Sequence, residues 1–270
     1  MGQTPRTTPV AGHPMPTIER PPGGPPRRRH PRPSVTVDLL IFTVTDTDLK
    51  VLLIRRALEP DIGKLALPGG FVDVGNSGME RAEDEADDQG EDVSDAALRE
   101  LGEETGLDRA LLRQHHVHLE QLFTFGQANR DPRTRVISVT YYALVPPDLA
   151  PLVRAGDDAA EAGWYSVETE VDPAALAFDH AQMLAMAVAR IRGKLDYSPI
   201  AFSLVPRTFT TSELREVYEA VQGRQFDASN FRRRFKRMVV DGVLEDAPGR
   251  RAPTERGGRP AKVYRFGAAR

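Results

Sequence analysis

The sequence predicts an α+β chain: a mixed sheet with helices, followed by a smaller module of two helices and a hairpin. Three observations predict it. Residues 34–45 alternate and then run apolar through Val35, Val37, Leu39, Leu40, Ile41, Phe42 and Val44, the pattern of a strand. Residues 94–105 and 180–191 carry helical spacing instead. The charge is also uneven. The whole chain is −3, yet thirteen Lys/Arg face five Asp/Glu from Arg224 onward, so that tail is +8. An acidic module joined to one that meets a polyanion has this signature.

At 270 residues the length suits one or two domains. The chain has no cysteine, which excludes disulfides, thiolate metal sites and a cysteine nucleophile. No apolar run approaches membrane-spanning length. The first residues are rich in Pro and Arg, with Arg27-Arg-Arg29, and lack the apolar stretch of a secretory signal. The expectation is a cytoplasmic protein without a membrane partner, opened by a disordered arm over residues 1–33.

The first module is assigned to residues 34–200. Residues 34–45 and 49–55 are strands, joined by a turn at Asp46-Thr-Asp48. Lys64-Leu-Ala-Leu-Pro68 leads to the glycine pair Gly69-Gly70. Ser94 is a candidate N-cap for a helix that Gly106 stops. Strands follow at residues 119–125 and 136–145, around the polar loop Gly126-Gln-Ala-Asn-Arg-Asp-Pro-Arg133. Trp164-Tyr165 marks another short strand. Asp179-His180 opens a helix whose apolar face is Met183, Leu184, Ala187, Val188 and Ile191.

The second module is assigned to residues 201–270, with a linker beginning at Tyr197-Ser-Pro199. Thr211 is a candidate N-cap for a helix that Gly223 ends. Asp227-Ala-Ser-Asn230 starts a second helix through Val240, with Phe231, Phe235, Met238 and Val239 as its buried stripe. Val243-Leu-Glu245 and Lys262-Val-Tyr-Arg-Phe266 are short strands around a loop from Pro248 to Pro260. Helix, turn, basic helix and a hairpin with an Arg-rich tip describe a winged helix-turn-helix. Asn230, Arg232, Arg233, Arg234, Lys236 and Arg237 are its candidate DNA contacts, with Arg250, Arg251, Arg259 and Lys262 on the wing.

Chemistry concentrates between Leu67 and Leu107. Glu100, Glu103 and Glu104 fall at i, i+3 and i+4 on one face of the first helix, and Leu98, Leu101 and Thr105 are expected on the other. Three neighbouring carboxylates repel one another unless a hard cation such as Mg²⁺ binds them. The plain alternative is a solvated acidic face. Leu67-Pro-Gly-Gly-Phe-Val-Asp-Val-Gly75 upstream, with Gly70 able to approach closely, argues for a site.

Glu91, seven residues, and then Arg99-Glu-Leu-Gly-Glu-Glu-Thr-Gly-Leu107 resemble the Nudix box. One departure is visible. An acidic segment over residues 76–90, with Glu80, Glu83, Asp84, Glu85, Asp87 and Asp88, separates the glycine part from Glu91. An inserted loop costs little closure entropy, so the fold is expected to survive it. The resemblance implies a Nudix α/β/α sandwich. It also implies a catalytic set of Arg99, Glu100, Glu103 and Glu104, the three glutamates holding Mg²⁺.

With the winged helix, the chain is similar to the Nudix-related transcriptional regulators of NAD metabolism. The phrases that carry this are Leu65-Ala-Leu-Pro-Gly-Gly-Phe71, Gln121-Leu-Phe-Thr-Phe-Gly126, Arg130-Asp-Pro-Arg133, Ala177-Phe-Asp-His180, Asn230-Phe-Arg-Arg233 and Gly258-Arg-Pro-Ala-Lys262. The resemblance implies a homodimeric repressor of NAD synthesis or salvage genes that binds operator DNA and senses ADP-ribose or a related nucleotide. It marks Arg56, Gly70, Phe71, Phe125, Arg130, Arg133, Asp179 and His180 as the nucleotide pocket. Arginines suit pyrophosphate and aromatics suit adenine. Two alternatives stay open: Asp179 and His180 simply cap a helix, or the intact box belongs to an active Mg²⁺-dependent ADP-ribose pyrophosphatase.

Overall fold

Strand β1 (Ser34–Thr45) is the axis of the molecule. It runs parallel to β6 (Val136–Leu144), from Ser34 opposite Val136 to Phe42 opposite Leu144. On its other flank the partner changes part-way. The C-terminal part pairs with β2 (Asp48–Arg56), Phe42 lying opposite Val51. The N-terminal part pairs with β4 (Gly69–Phe71), Thr36 lying opposite Phe71. Where β2 and β4 part, the sheet opens. The turn into β2 has Asp46 at φ 54° and Thr47 at φ 60°, the left-handed pair that a two-residue hairpin requires. Strands β3 (Leu65–Ala66) and β7 (Ala159–Ser166) add to β2, and β5 (His118–Phe125) adds to β6.

This computed structural model describes residues 32–75, 90–106, 109–115, 117–150, 159–195, 197–251 and 260–267. Most of the expected arm and of the acidic segment, together with Leu107 and Arg259, lie outside the described residues.

Both faces of the sheet are covered, which is why β1 turns from alternating to apolar throughout. Val37, Leu39 and Ile41 pack with Ala96, Ala97 and Leu101 of α1 (Val93–Thr105) and Leu112 of α2 (Arg109–Gln114). Leu40, Phe42 and Val44 face α3 (His180–Lys194), with Met183, Leu184, Ala187, Val188 and Ile191. The result is the expected α/β/α sandwich. Helix α1 starts two residues earlier than expected: its N-cap is Asp92, not Ser94, while Gly106 closes it at φ 68°. Residue-scale shifts of this kind are normal at helix ends.

The second module comprises α4 (Thr211–Gln222), α5 (Ala228–Val240), β8 (Leu244–Arg251) and β9 (Ala261–Phe266). Thr210, rather than Thr211, caps α4. Its hydroxyl accepts the Glu213 N–H while the Glu213 carboxylate accepts the Thr210 N–H, a complete capping box. Phe209 exchanges both backbone hydrogen bonds with Tyr264, fixing the hairpin to the start of α4. Strand β8 reaches Arg251, so the first residues of the expected wing loop, Pro248 to Arg251, are strand, with a bulge between Asp246 and Arg250.

The expected linker is not one. Pro199–Leu204 forms a 3-10 turn in which Ile200, Ala201 and Leu204 are buried, followed by buried Val205. These residues belong to one apolar cluster that runs from Leu40 and Phe42 through α3 to Val217, Tyr218 and Val221 of α4 and Phe231 and Phe235 of α5. Sheet and winged module therefore share a core, and the two should unfold together. Phe231→Ala should cost about 3–5 kcal/mol. It should lower the midpoint of Trp164 fluorescence, which reports on the sheet, together with that of helical circular dichroism. Separate midpoints for the two probes would contradict a shared core.

Candidate functional site

The opening between β2 and β4 is a cleft of about 960 Å³, lined by residues of β1, β2, β4, α1, the β5–β6 loop and the N-terminal end of α3. That size accommodates a nucleotide-sized ligand. Two glycines shape its floor. A Cβ on Gly69 would sit 2.1 Å from the Val37 carbonyl, and one on Gly70 would sit 2.2 Å from Glu100 Oε1. Only glycine lets β4 approach both β1 and the α1 carboxylate this closely.

One wall is cationic. The guanidinium carbons of Arg56 and Arg133 lie 4.7 and 5.8 Å from the ring centroid of Phe178. Burial and the nearby Arg133 charge push the Arg56 guanidinium below its ordinary value. Two like charges facing one aromatic ring favour an anion between them. Phe178 holds φ 49°, a left-handed conformation unusual for an aromatic residue. Its N–H donates to Asp61 Oδ2 at 3.2 Å. Strain of this sort is found where a ligand site over-determines the backbone.

Beneath that wall lies a buried polar network. The Arg130 side chain is 4% exposed, and its fork donates to both oxygens of Asp179, at 3.0 and 2.8 Å. Asp38 lies 3.6 Å from the same guanidinium and accepts from Ser138. His180 is buried, and its Nδ1 accepts the Leu67 N–H at 2.9 Å. Its Nε2 faces Asp38 at 3.7 Å. Asp179 stands at the N-cap position of α3 but makes no capping hydrogen bond with its side chain, because both oxygens go to Arg130. The helix-cap alternative for Asp179 and His180 is thereby replaced by a network that ties α3 to the cleft.

The third wall is α1. Burial there falls on Ala96, Ala97, Glu100, Leu101, Glu104 and Thr105, so Glu100 and Glu104 turn inward, toward the cleft, while Glu103 stays exposed. Leu98, expected on the packed face, is only half-buried. Burial raises the Glu100 carboxyl above its ordinary value, against the pull of Arg99. Arg99 is the hub: it donates to Glu91 at 2.7 Å, to Glu100 at 2.7 Å and to Glu103 at 3.2 Å. Glu91 also accepts the Asp73 N–H at 3.0 Å and donates its own N–H to Asp73. The two parts of the motif thus meet at the base of the acidic segment. Among the described residues no three His, Asp or Glu side chains converge as a metal cage. Of the three glutamates expected to hold Mg²⁺, Glu100 and Glu103 accept from Arg99, and Glu104 is buried.

Of the pocket residues expected from sequence, Arg56, Gly70, Phe71, Arg130, Arg133 and His180 line the cleft. Phe71 is exposed there, available to stack on a base. Phe125 does not line it: it is buried in the cluster that includes α3. Asp38, Asp131 and Phe178 were missed. Asp38 left a signal, a lone carboxylate inside the apolar run of β1. Asp131 orients Arg133, accepting from its guanidinium at 2.7 and 3.0 Å.

The basic face lies on the winged module. Asn230, Arg232, Arg233, Lys236 and Arg237 are exposed on α5, opposite buried Phe231 and Phe235. Arg233 donates to the Asn230 side chain. Arg234 corrects the expectation. It is half-buried, lies 4.6 Å over the Tyr218 ring, and donates to the Leu195 carbonyl at 3.3 Å, away from the basic face. Arg251 is exposed but already partnered, donating to Thr208 O at 2.6 Å and pairing with the capping-box Glu213 at 3.2 Å. Arg250 is exposed, and Lys262 pairs with Asp246 at 2.6 Å on the surface. Exposed pairs of that type are weak and exchange readily for phosphate.

His180 yields a test of the network. Burial lowers its imidazole below the ordinary value, despite the Asp38 and Asp179 carboxylates. The unfolded chain therefore binds a proton, below about pH 6.5, that the folded state excludes. The stability this neutral histidine contributes is present above that pH and is lost as pH falls. Urea unfolding should show a steeper loss between pH 7 and 5 in the wild type than in His180→Asn. Equal slopes would mean that His180 titrates freely.

Known proteins carry the same combination. The chain is 34% identical, over 88% of its length and 83% of the relative's, to the ADPR responsive transcriptional repressor NtrR of Acinetobacter baylyi. It is 34% identical to an ADP-ribose pyrophosphatase of Methanocaldococcus jannaschii, over 58% of this chain and 74% of the enzyme. It superposes on Shewanella oneidensis NrtR, crystallised in complex with a 27mer DNA, with a TM-score of 0.66 and 31% identity, covering 86% of this chain and 93% of that one. Residues 35–187 match the NUDIX domain and residues 201–266 match the NrtR DNA-binding winged helix domain. The chain therefore belongs to the Nudix-related transcriptional regulators.

Proposed function

We propose that this protein is a transcriptional repressor that binds operator DNA through α5 and its wing, and that its cleft senses ADP-ribose. The observation that carries the sensing role is the cationic wall of Arg56 and Arg133 around Phe178, inside a nucleotide-sized cleft. Those two arginines take the pyrophosphate, and exposed Phe71 stacks on the adenine. Arg130 does not contact phosphate in this reading, because its side chain is buried against Asp179 and Asp38, whereas Arg133 is half exposed and can turn from Asp131 to the ligand. The A. baylyi relative, named for its response to ADPR, supports the ligand. The protein acts in the cytoplasm as a homodimer, since two winged helices match a palindromic operator. Its targets are genes of NAD synthesis or salvage.

Hydrolysis is the second reading, favoured by the intact run from Arg99 to Gly106 and by the M. jannaschii enzyme. It requires Mg²⁺ on Glu100, Glu103 and Glu104, beside the Arg99 guanidinium that orients the first two. Release of AMP from ADP-ribose with Mg²⁺, lost in Glu103→Gln with Glu104→Gln, would establish it.

Sensing makes two measurable predictions. Saturating ADP-ribose should weaken operator binding about 5–150-fold, read by fluorescence anisotropy. Arg133→Ala should raise the ligand concentration needed roughly 10–150-fold, equivalent to about 1.5–3 kcal/mol, the value of hydrogen bonds to a charged group. Operator affinity unchanged at saturation sinks this ligand assignment. Arg232→Ala with Arg233→Ala should lower the salt dependence of DNA binding by roughly two units of slope, one for each phosphate no longer neutralised. An unaltered slope would move the DNA interface off α5.

A further inference from the structure

Helix α3 touches the cleft at one end and the winged module at the other. At its N-terminal end, Phe178 and His180 line the cleft and Asp179 holds Arg130. At its C-terminal end, carbonyls left open by the helix are taken by the winged module. The Leu195 carbonyl accepts from Tyr218 Oη of α4 and from Arg234 Nη2 of α5, both at 3.3 Å. Gln222 of α4 donates to the Arg192 carbonyl at 3.1 Å, and Arg192 Nε donates to Val221 O at 2.8 Å. A cation at a helix C-terminus is also favoured by the helix dipole.

Arg234 is the member of this set that belongs to the recognition helix. Its neighbours Arg232, Arg233, Lys236 and Arg237 are exposed, whereas it turns inward over Tyr218. We infer that Arg234 is a positioning residue: it ties α5 to the C-terminal end of α3, and ligand occupancy of the cleft reaches the DNA face through that contact. The inference rests on the sensing role proposed above. Its physical basis is simple. Between the two contacts α3 is a continuous helix whose apolar face is packed in the shared core, so it moves as a rod. Packed elements shift between discrete arrangements rather than bending. A ligand that displaces Phe178 or His180 moves the Leu195 carbonyl, and the Arg234 fork moves α5 with it.

The test uses the full chain, an operator selected by the wild-type protein from random DNA, and ADP-ribose. Operator affinity is measured without and with saturating ADP-ribose, and the ratio is the coupling. In Arg234→Met the stem that packs on Tyr218 is kept and the fork is removed. The ligand-free operator affinity should stay close to wild type, while the ratio, about 5–150-fold in the wild type, collapses toward unity. Tyr218→Phe removes the hydroxyl that also reaches Leu195 and should lower the ratio with less disturbance of packing, which keeps the inference testable should Arg234→Met fail to fold. A wild-type ratio retained in these variants overturns the inference and leaves the sensing role standing. Loss of operator affinity at an unchanged ratio also overturns it, since Arg234 would then act on DNA binding itself. A wild-type ratio of unity overturns both.

Discussion

Everything in this molecule is referred to α3. Its apolar face, from Met183 to Ile191, lies in the single cluster shared by the sheet and the winged module. Its first turn is held in the cleft by the Leu67 N–H bond to His180 and by the Arg130 fork on Asp179. Removing apolar area on this scale from water is the main favourable term in folding. The helix therefore cannot be released from either module without exposing core. A flexible tether would let the DNA-binding module tumble independently of the cleft. A shared core makes the orientation of α5 a property of the sheet.

The charges divide into two kinds by burial. Arg130, Asp179 and Asp38 are largely shielded from water, so breaking one member leaves the others poorly compensated. They hold geometry. Arg133, half exposed beside Asp131, and the α5 arginines keep their solvent and can exchange partners. They are suited to ligand and DNA. Arg99 stands between the two kinds. By bracing Glu91, Glu100 and Glu103, and by donating to the Phe71 carbonyl, it fixes α1 against β4.

Local periodicity made much of this legible. The β1–β2 hairpin, the glycine-stopped α1 and the Phe231–Phe235 stripe of α5 follow from spacing that each segment carries by itself. What was misread depends on distant partners. Position 234 adjoins the buried stripe, but its inward turn is decided by a carbonyl at Leu195, thirty-nine residues away. Tyr197-Ser-Pro199 suggested a linker, while Ile200, Ala201 and Leu204 were core. Asp179 looked like a helix cap until Arg130, forty-nine residues distant, took both of its oxygens. Phe125 resembled a pocket aromatic and is packed away, whereas Phe178 reached the cleft only through a left-handed backbone that nothing in its residue type predicts.

The central claim is that cleft and DNA face are one thermodynamic unit. Coupling between two binding sites is reciprocal, so DNA must act on the ligand as strongly as the ligand acts on DNA. Calorimetric titration of ADP-ribose into the free protein and into the protein saturated with operator tests this directly. The account predicts a weaker ADP-ribose affinity in the DNA complex, by the same factor with which ADP-ribose weakens operator binding. Equal ADP-ribose affinities in the two titrations would contradict it.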